Sequence, residues 1–255
     1  MTFTLVTIPC RSDNYAFLLH NDDTGQTALA DAPEAAPIIA ELEARGWALD
    51  DLLITHHHGD HVEGVAELRA RFGCRVVGAR ADQHRLPAVD LEVDPDSEFE
   101  TCGTTANVID VSGHTVGHIA FHLPAAEVAF TGDSLMALGC GRLFEGKVPQ
   151  MWESLLRLRA LPPDTRICSG HEYTAANARF ALTVDGGNAD LVARAKAVDA
   201  ARAKGEATVP SFLSEECATN PFLRADVPGM DAQVGLEGSA PAAIFAEIRS
   251  RKDNF

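Results

Sequence analysis

Short apolar runs with turn residues between them fill the first two thirds of the chain. Nine segments predict strands: Phe3 to Ile8, Ala16 to His20, Thr27 to Ala30, Leu52 to Thr55, Arg75 to Val77, Ala106 to Val111, Ile119 to Leu123, Val128 to Thr131 and Arg166 to Ser169. Helical spacing of apolar residues predicts helices over Pro33 to Arg45, with a face of Ile38, Ile39 and Leu42, over Val62 to Phe72, and over Met151 to Leu161, which stops at Pro162-Pro163. Strands interleaved with helices imply layered α/β packing. After His171 the texture changes. Tyr173 to Val184, Asp190 to Lys204 and Ala240 to Lys252 are alanine-rich with helical spacing, Asp185-Gly186-Gly187-Asn188 separates the first two, and Val209-Pro210-Ser211 introduces a segment of loop and short helix. The expected organisation is an α/β domain over residues 1–172 and a small all-α domain over 173–255.

The histidines change this from a fold prediction into a chemical one. Of 10 in the chain, four lie in the run His56-His57-His58-Gly59-Asp60-His61. Elsewhere an apolar strand ends in small or polar residues and a potential ligand follows: Ser112-Gly113 before His114, Thr131-Gly132 before Asp133, Ser169-Gly170 before His171. Four strand ends, that of Leu52 to Thr55 included, could converge on one point. His56 and His58 can face one side of an extended or turning backbone, and Asp60 and His61 a second position, so one loop could feed two metals. Imidazole nitrogen with carboxylate oxygen suits zinc or another first-row ion. Gly113, Gly132 and Gly170 permit backbone angles that bulkier residues resist. Taken singly, His114 and His171 also fit as hydrogen-bonded core histidines and Asp133 as a turn or cap residue; their shared placement favours ligands. His57, between ligands, should point away, and His118 should support the site without ligating. His20, His84 and His122 have no ligand-like context.

Charge narrows the partners. A net charge of −16 repels phosphate backbones and anionic membranes, so no nucleic-acid or membrane partner is expected. The first residues lack the basic start and apolar run of a signal peptide, which predicts a cytoplasmic protein. The six cysteines form no C-x-x-C pair and are expected to be buried and reduced.

His56-x-His58-x-Asp60-His61 with His114, Asp133 and His171 resembles the metallo-β-lactamase superfamily. Within it, Ser112-Gly-His-Thr-Val-Gly-His118, Thr131-Gly-Asp-Ser-Leu135, Gly139-Cys-Gly-Arg-Leu-Phe-Glu-Gly146, Ser169-Gly-His-Glu-Tyr-Thr174, Asn220-Pro-Phe-Leu-Arg224 and Arg249-Ser-Arg-Lys-Asp-Asn-Phe255 are similar to the glyoxalase II family, the hydroxyacylglutathione hydrolases. The resemblance implies a four-layer αββα sandwich with a small C-terminal all-α domain that helps bind glutathione. It implies two divalent metal ions, zinc first, with iron or manganese as alternatives. The first ion would take His56, His58 and His114, the second Asp60, His61 and His171, with Asp133 bridging. The substrate would be S-D-lactoylglutathione, hydrolysed to D-lactate and glutathione in the second step of methylglyoxal detoxification by a monomer. Arg142, Phe144, Tyr173, Arg249 and Lys252 would bind the glutathione moiety. Arg142 and Phe144 stand where many members carry Lys and Tyr, and Ser169 where cysteine is common. Without the resemblance, Arg249, Arg251 and Lys252 read as cations complementing a helix C-terminus.

The residues suit thioester hydrolysis. A metal can lower the pKa of bound water from 15.7 to about 7, supplying a hydroxide that bridges the two metals as nucleophile and that Asp60 could orient, so no serine or cysteine nucleophile is needed. A thiol leaving group with pKa about 8.5 departs without an obligate general acid. Within the same fold, a one-iron glutathione persulfide dioxygenase is the alternative, disfavoured by the complete second ligand set. A nuclease is opposed by the charge, and a non-catalytic metal module by an open two-metal site.

Overall fold

The computed structural model describes residues 1–255, in two compact units: Met1–Asp110 with Val116–Gly132, and Val111–Thr115 with Asp133–Phe255. The first unit holds β1 (Phe3–Cys10), β2 (Asn14–Asn21), β3 (Thr27–Ala30), α1 (Ala35–Arg45), β4 (Asp51–Leu53), α2 (Gly59–Val62), α3 (Val65–Phe72), β5 (Arg75–Ala79), β6 (Leu91–Val93), β7 (Glu98–Thr101), β8 (Thr104–Asp110), β9 (Ile119–Leu123) and β10 (Val128–Gly132). Strands β1 to β6 lie side by side in sequence order, antiparallel from β1 to β3 and parallel from β3 to β6. Strands β7 to β10 form an antiparallel meander.

Strand β2 is buried at every position because both of its faces are covered. On one face Leu18, Leu29, Leu52 and Val76 pack with Ile38 and Leu42 of α1 and Val65 and Leu68 of α3. From the other face Phe17 meets Phe130 of β10 with ring centroids 6.2 Å apart. Asp51 of β4 accepts a 2.7 Å hydrogen bond from Thr101 Oγ1 of β7, a second tie between the sheets. Helix α1 buries Ile38 and Leu42 of the expected face together with Ala35, leaves Ile39 only partly buried, and ends at Gly46 in the left-handed conformation, φ 69°.

The helix expected over Val62 to Phe72 is instead two pieces, α2 and α3. The break falls at Gly64, whose N–H donates to Ala32 O at 2.8 Å and whose missing Cβ would lie 2.9 Å from Ala35 N. A close backbone approach overrides the continuous apolar spacing there. Strands β6 and β7 were not expected. Strand β7, Glu-Phe-Glu-Thr, alternates exposed and buried with Phe99 as its single apolar residue, too few for a periodic signal.

The second unit holds β11 (Leu135–Met136), β12 (Gly139–Cys140), α4 (Val148–Arg159), β13 (Arg166–Ser169), α5 (Thr174–Asp185), α6 (Ala189–Arg202), β14 (Ser211–Phe212), α7 (Leu213–Thr219), α8 (Met230–Gln233) and α9 (Pro241–Asp253). Its core is an aromatic chain: Trp152 of α4 to Phe245 of α9 at 5.6 Å, Phe245 to Phe222 at 6.0 Å and Phe222 to Phe180 of α5 at 5.9 Å. Asn188 caps α6, its side chain accepting from the N–H groups of Asp190 and Leu191. No helix is long and apolar enough to cross a membrane.

Phe130 is only 1% exposed at the inter-sheet contact. Phe130→Ala is expected to cost about 3–5 kcal/mol, read as a lower urea midpoint at unchanged slope.

Candidate metal centre

The run from His56 to His61 leaves the end of β4 as an extended segment and closes into the single turn of α2. Its shape rests on Asp31, just after β3, whose buried carboxylate accepts from Thr55 N at 2.9 Å and from Thr55 Oγ1 at 2.8 Å, and takes His61 Nδ1 at 2.8 Å. These contacts decide the tautomers. A carboxylate can only accept, so His61 carries its proton on Nδ1, leaving Nε2 as its candidate ligand atom. The Thr55 hydroxyl spends its proton on Asp31, so it accepts from His56 Nδ1, 3.0 Å away, and His56 likewise presents Nε2. His58 follows with Nδ1, 3.1 Å from His56 Nε2.

Within this unit the ligating atoms of His56 and His58, of His56 and His61, and of Asp60 and His61 lie within 4.8 Å of each other. His56 and His61 are buried, whereas the Asp60 side chain is 34% exposed. The amide of Asn14 steadies Asp60, donating to its backbone O at 3.1 Å and to Oδ2 at 3.2 Å. His57 points away, as expected, to Asp82 Oδ2 at 3.0 Å. His118 stacks on the His56 ring with centroids 4.5 Å apart.

The second unit brings together His114, Asp133 and His171. Asp133 Oδ2 lies 3.4 Å from His114 Nε2 and 3.3 Å from His171 Nε2, all three residues being at most 6% exposed. His114 Nδ1 is 2.7 Å from the carbonyl of Arg142, which holds the proton on that nitrogen and turns Nε2 toward Asp133. Of the glycines ahead of these ligands, Gly113 and Gly132 have φ of 149° and 48°, and Gly170 does not need the left-handed region. A Cβ on Gly132 would also stand 2.5 Å from Thr55 Oγ1 and 2.8 Å from His118 Cε1.

The residues expected at the substrate are also in the second unit. The Phe144 ring, 63% exposed, meets the His114 ring edge-on at 5.2 Å, and the Tyr173 ring stacks on His171 at 4.7 Å. Both aromatics thus back ligand imidazoles. Arg142 and Arg249 share one carboxylate oxygen, Asp253 Oδ1, at 3.4 Å and 2.9 Å. Arg249 is buried and also donates to Cys140 O at 2.9 Å, so much of its donor capacity serves the fold. Lys252 is half-buried over the rings of Phe180 and Phe255. Burial, then the charges of Arg249 and Arg179, hold its ammonium below the usual lysine pKa of 10.5.

The nitrogen and oxygen donors of each unit, with the ring nitrogens of His56, His61 and His114 held by outer partners, have the chemistry of divalent first-row ions. All six cysteines are free and five are buried. Burial pushes the Cys10 and Cys102 thiols up to about 12, so neither is a ready thiolate ligand. Asp31 was missed from sequence, although an aspartate directly after the apolar strand Thr27 to Ala30 repeats the strand-end signal of Asp133. Asp253 was missed because its pairing with Arg142 joins residues far apart in sequence, although Arg249 stands only four residues before it.

Residues 23–171 match the family model of the metallo-beta-lactamase superfamily, and residues 172–255 match that of the hydroxyacylglutathione hydrolase C-terminus. The hydroxyacylglutathione hydrolase of Ruegeria pomeroyi is 61% identical over 255 residues, which is 100% of both chains. The chain belongs to the hydroxyacylglutathione hydrolase family. Among solved structures, BLEG-1 B3 metallo-beta-lactamase has TM-score 0.67 at 20% identity, covering 86% of this chain and 99% of that one. TTHA1623 in a di-iron-bound form has TM-score 0.62 at 23% identity, covering 86% and 100%. These two likenesses concern the fold, the α/β sandwich of the superfamily, which here precedes a helical C-terminal region. With its histidine and aspartate clusters, the chain is a metal-dependent hydrolase with a divalent pair.

Asp31→Asn should weaken metal affinity by about 10–100-fold, measured by competition with a chromophoric chelator. It should also lower unfolding stability by about 1–3 kcal/mol, because His61 or Thr55 loses a buried partner.

Proposed function

We propose that the chain hydrolyses the thioester of S-D-lactoylglutathione to D-lactate and glutathione, acting as a cytoplasmic monomer. Membership of the hydroxyacylglutathione hydrolases carries this reading. In the proposed ligand assignment His56, His58 and His114 hold one ion, Asp60, His61 and His171 the other, and Asp133 bridges. Support comes from the donor chemistry: four donors in the first unit and three in the second are each too few for two ions. Zinc is the proposed metal, with iron or manganese able to use the same donors. Two such ions, when bound, supply a water acidified to near neutral pH and a Lewis acid for the thioester carbonyl.

This chain's own groups then have three tasks. Asp60, the most exposed ligand carboxylate and steadied by Asn14, accepts a hydrogen bond from the attacking water and orients it. Phe144 and Tyr173 give the substrate an apolar rim. Arg142 and Lys252, with Arg249 behind them, attract the carboxylates of glutathione in a chain whose overall charge opposes anions. The departing thiol, with pKa about 8.5, leaves as thiolate without a dedicated acid. We also propose a boundary between a catalytic domain of residues 1–172 and a glutathione-binding helical domain of 173–255. The start of α5 at Thr174 supports it.

Purified protein with S-D-lactoylglutathione should release one free thiol per turnover without oxygen uptake, and metal analysis should give two ions per chain. Asp133→Ala should lose metal and thiol release together. A fully metallated sample that releases no thiol overturns the reading, and oxygen uptake with a single iron would replace it by the dioxygenase. A second outcome concerns Lys252. Its ammonium loses its proton at lower pH than an exposed lysine, so KM should rise with increasing pH below the usual 10.5, at constant kcat. Lys252→Met should flatten that rise and raise KM at neutral pH.

A further inference from the structure

The motif Asn220-Pro-Phe-Leu-Arg224 has no part in the chemistry above, yet Asn220 is wholly buried and every polar atom of its side chain is used. Its Nδ2 donates to Met136 O at 3.1 Å, Gly139 O at 3.0 Å and Glu216 Oε2 at 3.0 Å, and its Oδ1 accepts from Phe222 N at 3.0 Å. The two carbonyls flank the turn Ala137-Leu138 of the β11–β12 hairpin. Leu138 sits in that turn with φ 55°, a left-handed conformation costly for a branched residue. Its N–H donates to Glu216 Oε2 at 2.9 Å, and the Ala137 carbonyl accepts from Asn177 Nδ2 at 3.0 Å. Side chains from α5, α7 and the residue after α7 therefore hold the turn from all sides.

Glu216 is itself fully buried, which an unpaired carboxylate could not sustain. It pairs with the guanidinium of Arg194 and accepts from Ser211 Oγ at 2.6 Å, while Arg194 reaches Thr219 Oγ1 at 2.7 Å. The buried network is charge-balanced and well hydrogen-bonded, the condition under which such a network rigidifies its surroundings.

The hairpin so held has a metal-site group at each end. Asp133 precedes it, and Gly141 N donates to Ser134 O at 3.0 Å, extending the pairing toward that aspartate. Gly141 packs so closely that a Cβ there would lie 1.9 Å from Asp133 O. Just beyond, the Arg142 carbonyl takes His114 Nδ1. We infer that Asn220 and Glu216 are positioning residues for the metal centre. By clamping the hairpin turn they keep Asp133 and the carbonyl that orients His114 at a fixed separation. The inference rests on the proposed ligand role of Asp133 and His114, and neither Asn220 nor Glu216 touches substrate.

The test is Asn220→Asp in the full chain, which keeps the side chain's shape but removes the amide donors. The cobalt-substituted protein should show a shifted and weakened visible d–d spectrum, and cobalt affinity should fall by about tenfold or more. In the zinc enzyme kcat should fall by a similar factor with KM within about twofold. A variant with a lower melting midpoint but the parent's spectrum, affinity and kcat is merely destabilised, and that result overturns the proposal. Should Asn220→Asp fail to fold, Asn177→Ala removes one contact to the same turn and should shift the cobalt spectrum in the same direction by less; an unchanged spectrum again overturns it. The spectra are independent of thiol release, so a parent protein that binds two ions without hydrolysis would sink the functional reading while still testing the clamp.

Discussion

A single buried carboxylate, that of Asp31, sets the geometry of the candidate metal ligands in the first unit. It takes Thr55 through both backbone and hydroxyl, and it takes His61 directly. Through Thr55 it also reaches His56. One acceptor-only group thereby dictates the tautomer of two imidazoles, and the loop's donors point inward as a property of the polypeptide. Strands β3 and β4, parallel neighbours, end beside each other, which places the carboxylate within reach. The layered packing matters chemically because it fixes where strands end.

The candidate ligands of the second unit follow a different rule. His114 is oriented by a backbone carbonyl and faces a carboxylate shared with His171. Here the orienting group is only as well placed as the hairpin that carries it. Hence a large share of the buried polar residues of the second unit, Arg194, Ser211, Glu216 and Asn220 among them, serve a turn of two residues. The cations follow a similar economy. Arg249 donates to Cys140 O and Asp253, which leaves Arg142 and Lys252 as the more exposed cations of the group.

Most of this was legible in the sequence where local chemistry repeats. The strand ends that the sequence placed before His56, His114, Asp133 and His171 are those of β4, β8, β10 and β13, and the change of texture after His171 announced the helices. What stayed hidden depended on partners distant in the chain. Gly64 divides a helix because Ala32 and Ala35 crowd it, and no spacing within Val62 to Phe72 reveals that. Strand β7 shows one apolar residue because Thr101 fills an inward position through its hydrogen bond to Asp51. The hairpin strands are two residues long, below any period. Arg249, read from sequence as a glutathione-binding group or, without the resemblance, as a cation at a helix end, is buried under contacts that only the folded chain supplies.

The left-handed turn at Leu138 makes the stretch from Asp133 to Arg142 a mechanical dimension of the molecule. Surface loops ordinarily absorb added residues at little cost. This buried turn cannot, because the carbonyls of Met136, Ala137 and Gly139 and the amide of Leu138 already have side-chain partners, and an added residue would displace Asp133 at one end or the carbonyl that orients His114 at the other. Length variation within such chains should therefore collect elsewhere, in connections such as Ala203–Thr208, and leave the spacing across the hairpin untouched.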